Sequence, residues 1–295
     1  MDITMQPGRY VIAVSGGVDS VVLLDLLTQL PGVGLIVAHY DHGIRGDSAE
    51  DRRLVQKLAK DYNLPFVYDE GHLGKDASEA TARKSRYTFL HTVRKQSGAQ
   101  AIITAHHQDD VIETAILNLL RGTGRKGLTS LRSHDTVIRP LLHIPKAVLI
   151  DYAIAHHLAW REDSTNTDQS YKRNYVRHTV VTKLTPEQRG QLLMYITQLH
   201  DLNHKIDHEI TNQLHVQPKA MHIERSYFIQ LPHDTALEVL AAWLRHAGVR
   251  DFDAKGLQRI VVAAKTLNIN NTIDVNNRYQ IVVGKQNLAL RLRDR

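Results

Sequence analysis

The chain contains no cysteine in 295 residues. That absence excludes disulfides, thiolate zinc sites, iron–sulfur clusters and any mechanism needing a protein thiol or persulfide. No apolar run approaches the roughly 20 residues needed to span a bilayer, and the start, Met1-Asp-Ile-Thr-Met-Gln-Pro-Gly8, carries no basic-then-apolar leader. A cytoplasmic protein without a membrane partner is the expectation. There is no internal repeat and no low-complexity tract. A Walker-type phosphate loop is missing as well: neither Gly74-Lys75-Asp76 nor Gly284-Lys285-Gln286 completes G-x-x-x-x-G-K-S/T, which disfavours γ-phosphate chemistry.

What is present suits a folded chain of about two domains: 42% hydrophobic residues, 37 Lys plus Arg against 31 Asp plus Glu, and a net charge of +6. Basic residues cluster at Arg121, Arg125, Lys126, Arg132 and Arg139, and again at Lys172, Arg173, Arg177 and Lys183. Such clusters neutralise phosphates or form a solvated basic face. Short β-branched runs at 10–14, 34–39, 65–69, 100–105 and 136–141 alternate with helical patterns at 19–30, 47–62, 78–97, 109–120 and 145–157. This alternation predicts an α/β fold, a doubly wound, mostly parallel five-stranded sheet covered on both faces. Helices around 172–182 and from Pro186 lead out of it. A small α+β module follows, with helices at 234–247 and 253–266 and strands at 271–275, 278–284 and 287–292. The expected division is 1–185, a helical linker at 186–217, and 218–295.

Between the first strand and helix lies Ser15-Gly-Gly-Val-Asp-Ser20. Two glycines permit a sharp turn and close approach, Ser15 and Ser20 add hydroxyls, and a helix start offers unpaired N–H donors to phosphate. An ordinary turn with Asp19 or Ser20 as a cap has the same shape. A G-x-G-x-x-G string at Gly122–Gly127 follows a helix and opens no βαβ unit, so it is set aside. His39, Asp41 and His42, with His106, His107, Asp109 and Asp110, include metal-ligand types at two strand ends, although chance clustering among 18 histidines accounts for them too. Asp110 and Glu113, three apart, can face one site or form a helix cap, and Arg173 and Arg177, four apart, share one helical face.

The SGGVDS loop resembles that of the adenylating N-type ATP pyrophosphatases, the PP-loop superfamily, which act at the α-phosphate and release pyrophosphate. Further stretches are similar to the tRNA(Ile)-lysidine synthetase family: Ala38-His-Tyr-Asp-His-Gly-Ile-Arg45, Glu79-Ala-Thr-Ala-Arg-Lys-Ser-Arg-Tyr87, Ala105-His-His-Gln-Asp-Asp-Val-Ile-Glu-Thr114, Asn118–Gly124, Arg139-Pro-Leu-Leu142, Trp160-Arg-Glu-Asp163, Asn166 and Tyr171–Arg177. The likeness covers about residues 9–185, in order. The C-terminal module resembles the family's first C-terminal domain only loosely, and 295 residues leave no room for the further domain of longer members.

The resemblance implies a carbon–nitrogen ligase using ATP and Mg²⁺, with tRNA(Ile) bearing a CAU anticodon and free L-lysine as substrates, and a homodimer. It implies Ser15, Gly16, Gly17, Val18, Asp19, Ser20 and His39 as the nucleotide site. Asp19, Arg86, His106, Asp110, Glu113 and Arg177 would be catalytic, with Asp19 and Asp110 on Mg²⁺. Arg121, Arg125, Lys126, Arg173 and Arg177 would contact tRNA, and the C-terminal module would recognise it. An ammonia-using synthetase of the same superfamily and a non-catalytic nucleotide or RNA binder are the alternatives. A thiolase is disfavoured because it normally needs cysteine.

Overall fold

Five β-branched runs build the first sheet. In the computed structural model these are β1 (Gly8–Ala13), β2 (Val33–Asp41), β3 (Phe66–Glu70), β4 (Ala101–Ile103) and β5 (Val137–Ile138). They stand in the order β3-β2-β1-β4-β5, every pair parallel. The structure describes residues 1–43, 48–71, 74, 78–162, 172–213, 221–249 and 251–293; Arg45, Asp163, Asn166 and Tyr171 lie outside these.

Successive side chains on β1 alternate between two cores, as the pleat requires. Tyr10, Ile12 and Val14 pack with Val21–Leu24, Leu26 and Leu27 of α1 (Val18–Thr28). Val11 joins Ala38, Ile102 and Phe89, Leu90 and Val93 of α3 (Glu79–Gln96) on the other face. Both faces are covered, so the strands read as continuous apolar runs instead of alternating ones. Two expected strands are shorter than their runs. Pro140, which has no N–H to give a ladder, follows β5 closely. Beyond β4, Thr104 and Ala105 leave the strand.

The order reverses between β1 and β4. In open α/β sheets the crevice at such a reversal, beyond the carboxyl ends of the strands, collects ligands. The segments leaving those two ends are 14–17 and 104–107. Around them stand α2 (Ser48–Asp61), α4 (Gln108–Leu120), α6 (Lys146–Ala155) and α7 (Lys172–Thr179), and the short α5 (Arg125–Leu128) follows α4. A long helix, α8 (Pro186–Gln213), follows. Its start is a capping box: Gln188 N donates to Thr185 Oγ1 at 3.3 Å and Thr185 N to Gln188 Oε1 at 2.9 Å, with Pro186 in the first turn.

The chain divides into two units between Ile196 and Thr197, inside α8. The second contains β6 (His222–Glu224), α9 (Arg225–Gln230), α10 (His233–His246), α11 (Ala254–Thr266), β7 (Thr272–Asp274), β8 (Tyr279–Val283) and β9 (Asn287–Leu292). Its antiparallel sheet has the order β6-β9-β8-β7 and its core centres on Phe228, Leu240, Trp243, Ile260 and Ile281. The β7–β8 turn is held by Asn276 Oδ1, which accepts from the N–H groups of Arg278 and Tyr279.

Candidate active site

The loop leaving β1 is shaped by one glycine and two hydroxyls. Gly16 has φ +96°, a region costly to any residue with a Cβ, and Gly17 is the extended N-cap of α1. Ser20 Oγ donates to Gly17 O at 2.8 Å and accepts from Ser15 N at 3.2 Å; the Ser15 and Ser20 hydroxyls are 3.2 Å apart. From outside, Arg161 N donates to Gly16 O at 3.0 Å, while its guanidinium bonds Asp51 Oδ1 at 2.8 Å and pairs with Glu50, both on α2. The result is a braced turn aimed along α1, the geometry of an anion cradle.

Asp19, in the first turn of α1, faces the start of α4. His107 Nε2 lies 3.5 Å from both Asp19 Oδ2 and Asp110 Oδ2, and Lys146 Nζ, opening α6, is 3.7 Å from Asp19 Oδ2. Burial opposes protonation of His107, but the carboxylates of Asp19 and Asp110 outweigh it and raise its pKa. Asp110 also caps α4: its Oδ2 accepts from His107 N at 3.0 Å. The cap therefore runs from His107 to Asp110 and not from Asp110 to Glu113.

Glu113, fully buried, lies one turn further along α4. Arg177 grips it through Nε to Oε1 at 2.6 Å and Nη2 to Oε2 at 3.0 Å, and Arg173 Nε donates to Oε2 at 3.1 Å. Arg173 Nη2 also reaches Asp110 Oδ1 at 3.2 Å. Packing explains the meeting: Val176 sits in a cluster with Ile112, Leu117 and Val181, which turns the face of α7 carrying Arg173 and Arg177 towards α4. The two pairs expected to serve separate ligands thus bind each other. Burial works against the Asp110 carboxylate, yet His107, His106 and Arg173 hold it at about 2.

His106 Nδ1 is 2.8 Å from Thr104 Oγ1. Burial, helped by Arg139 and Arg86 and opposed by Asp110, lowers it to about 3, so it stands as a neutral imidazole. Burial also lowers Arg86, with Tyr87 opposing and the neighbouring Arg83 and Arg173 adding to the effect. His39, at the end of β2, donates from Nδ1 to Val14 O at 2.9 Å, and burial lowers its pKa. Its Nε2 is thus a buried acceptor that meets no hydrogen-bond partner among the described residues.

Asp19 Oδ1 is likewise buried and meets no hydrogen-bond partner among the described residues. Two carboxylates sharing His107 form an all-oxygen set that fits a hard cation such as Mg²⁺. No group of three or more His, Asp or Glu residues suited to a metal ion gathers among the described residues. Arg121, Arg125 and Lys126 do not join this centre. Arg121 caps the far end of α4, about 16 Å along the axis from Asp110, and the other two open α5. His107 sits inside the Ala105–Thr114 stretch, and no local pattern marks it above its neighbour His106. Lys146 and Arg161 reach the loop from far along the chain, which no local pattern signals.

A PP-loop domain signature matches residues 3–184. A tRNA(Ile)-lysidine synthase of Thermus thermophilus is 44% identical over 174 residues, 57% of this chain and 34% of that protein. That of Nitrosomonas europaea is 34% identical over 280 residues, 82% of this chain and 60% of the relative. The chain thus spans less than two thirds of the length of either. A solved U34-tRNA thiolase from Methanococcus maripaludis, 17% identical, matches with a TM-score of 0.52 over 66% of this chain and 73% of its own, a likeness of fold. Glycine loop, switch-point sheet and signature agree: the chain belongs to the PP-loop family.

Proposed function

We propose that this chain is a ligase that uses ATP to attach lysine to C2 of the wobble cytidine in tRNA(Ile) with a CAU anticodon, forming lysidine. The observation that carries the reading is the meeting, at one switch-point crevice, of a hydroxyl-lined glycine loop with the carboxylates of Asp19, Asp110 and Glu113. The names of the relatives support the same substrate. In the first step the C2 oxygen attacks the α-phosphorus and pyrophosphate leaves. In the second the lysine Nε attacks C2, loses a proton and displaces AMP.

Ser15 to Ser20 receive the phosphates on backbone N–H groups and hydroxyls. Lys146, beside Asp19, supplies from α6 the cation that the loop lacks. His39 Nε2, an acceptor, suits the amino group of adenine. Asp19 and Asp110 hold Mg²⁺, which when bound offsets phosphate charge. Arg86 stabilises charge developing at the phosphate. Asp110 and Glu113 receive the lysine ammonium, and Arg173 and Arg177 transfer to phosphates as it takes their place. Arg121, Arg125 and Lys126 contact the tRNA backbone, and the second unit contributes to tRNA recognition.

The test is to count labelled lysine in transcribed tRNA(Ile) with a CAU anticodon, beside tRNA(Met), in the presence of ATP and Mg²⁺. Label only in the isoleucine tRNA, abolished by Asp19→Ala, supports the proposal. RNA-independent pyrophosphate release with small acids and ammonia, and no labelled RNA, would replace it with a small-molecule synthetase.

A further inference from the structure

In the second unit α8 carries His200-Asp-Leu-Asn-His204 and then His208, imidazoles repeating every four residues. Four residues is just over one helical turn, so neighbouring rings share a face. The structure brings the first two together: His200 Nε2 and His204 Nε2 are 3.2 Å apart, with the rings edge to face and their centroids 4.5 Å apart. Asp201 Oδ1 lies 3.6 Å from the other nitrogen of His200, Nδ1.

That separation has a chemical meaning. Two ligands at the Zn–N distance of about 2.05 Å whose nitrogens lie 3.2 Å apart subtend roughly 100° at the ion, near the tetrahedral angle. A carboxylate beside Nδ1 favours the His200 tautomer with its proton there, so the Nε2 lone pair faces His204 Nε2, and an ion would replace the proton those two nitrogens share. The same outer-shell device orients metal-binding histidines generally. His204 is exposed and His200 half-buried, so an ion reaches the pair from solvent.

We propose that His200 and His204 form a bidentate site for a divalent transition ion of the zinc class, with water completing its coordination. Imidazole nitrogens select such ions over Mg²⁺. The ion staples one turn of α8 just past Thr197, where the second unit begins. This site is separate from the PP-loop crevice and rests on none of the chemistry proposed there.

Zinc chloride is titrated into untagged full-length protein against a chromophoric zinc chelator, with Mg²⁺ in excess. The wild type should take one equivalent in competition with the chelator. His200→Gln and His204→Gln should each weaken it by about tenfold or more, while His208→Gln should change it by less than about threefold. Glutamine keeps helix propensity, and circular dichroism checks each fold. On the wild-type protein, ¹⁵N spectra of the imidazoles should show two Nε2 resonances shifting together as zinc is added. Equal binding by the His204→Gln protein, an equal loss in the His208→Gln protein, or no Nε2 shift in the wild type would overturn the assignment.

Discussion

Glu113 has no exposed surface and three guanidinium bonds, so its charge is the counter-ion that lets α7 dock on α4. Glu113→Gln keeps the shape but takes one buried counter-charge from two partly buried arginines. Breaking a buried pair from one side costs about 3 kcal/mol, which a lowered urea midpoint would report. Titration adds a second residue-scale prediction. His106 falls from 6.5 to about 3 on folding, so its contribution to stability is whole above pH 6.5 and lost as pH drops towards 3. Asp110, lowered from 3.8 to about 2, adds a loss between those values. His107 is raised, so its contribution is whole below pH 6.5 and disappears at higher pH. Denaturation midpoints measured against pH should therefore fall on the acid side, and His106→Gln should flatten the fall between pH 6.5 and 3.

The two loop glycines make different demands on their element. A methyl on Gly16 would meet Asp51 and Val55 at 3.6 to 3.7 Å, ordinary contact, so the cost lies in its positive φ. Gly16→Ala should lower stability by about 1–2 kcal/mol. Gly17, with φ −73°, has among the described residues only Ser15 Oγ, at 3.6 Å, in the way of a methyl. Gly17→Ala, free of that backbone strain, should cost less stability than Gly16→Ala while weakening ATP binding, because the added carbon lies at the proposed phosphate site. Calorimetry of both variants, with and without ATP, separates conformational from steric use of glycine. Equal loss of stability in the two would refute the distinction.

The cores on the two faces of the first sheet belong to one unit and the core around Trp243 to the other, and each unit holds one of the two tryptophans, Trp160 and Trp243. In Trp160→Phe protein the fluorescence reports the second unit alone, and its urea transition should not coincide with that of far-UV circular dichroism. At the same scale, the proposed association with RNA should be salt-sensitive, because the chain carries a net charge of +6. Replacing Arg121, Arg125 and Lys126 by alanine should reduce the slope of log K against log salt by about 0.7–0.9 for each lost phosphate contact, without altering stability at the PP-loop.

The periodicity of 10–14, 34–39 and 65–69 was enough to predict a parallel sheet, because covered strands must be apolar throughout. Turn chemistry at Gly16 and the Pro186 helix start were legible for the same local reason. The glycine loop and the carboxylates of α4 could be named from motifs, since residues three apart on a helix share a face wherever that helix lies. What the sequence by itself could not determine was partnership. Arg173 and Arg177 read as phosphate ligands but lie on Glu113 and Asp110 because Val176 packs against Ile112 and Leu117. Lys146 and Arg161 reach the loop only after the chain has crossed the sheet. Charge partners follow distance in space, and only the burial of apolar residues far apart in the chain decides that distance.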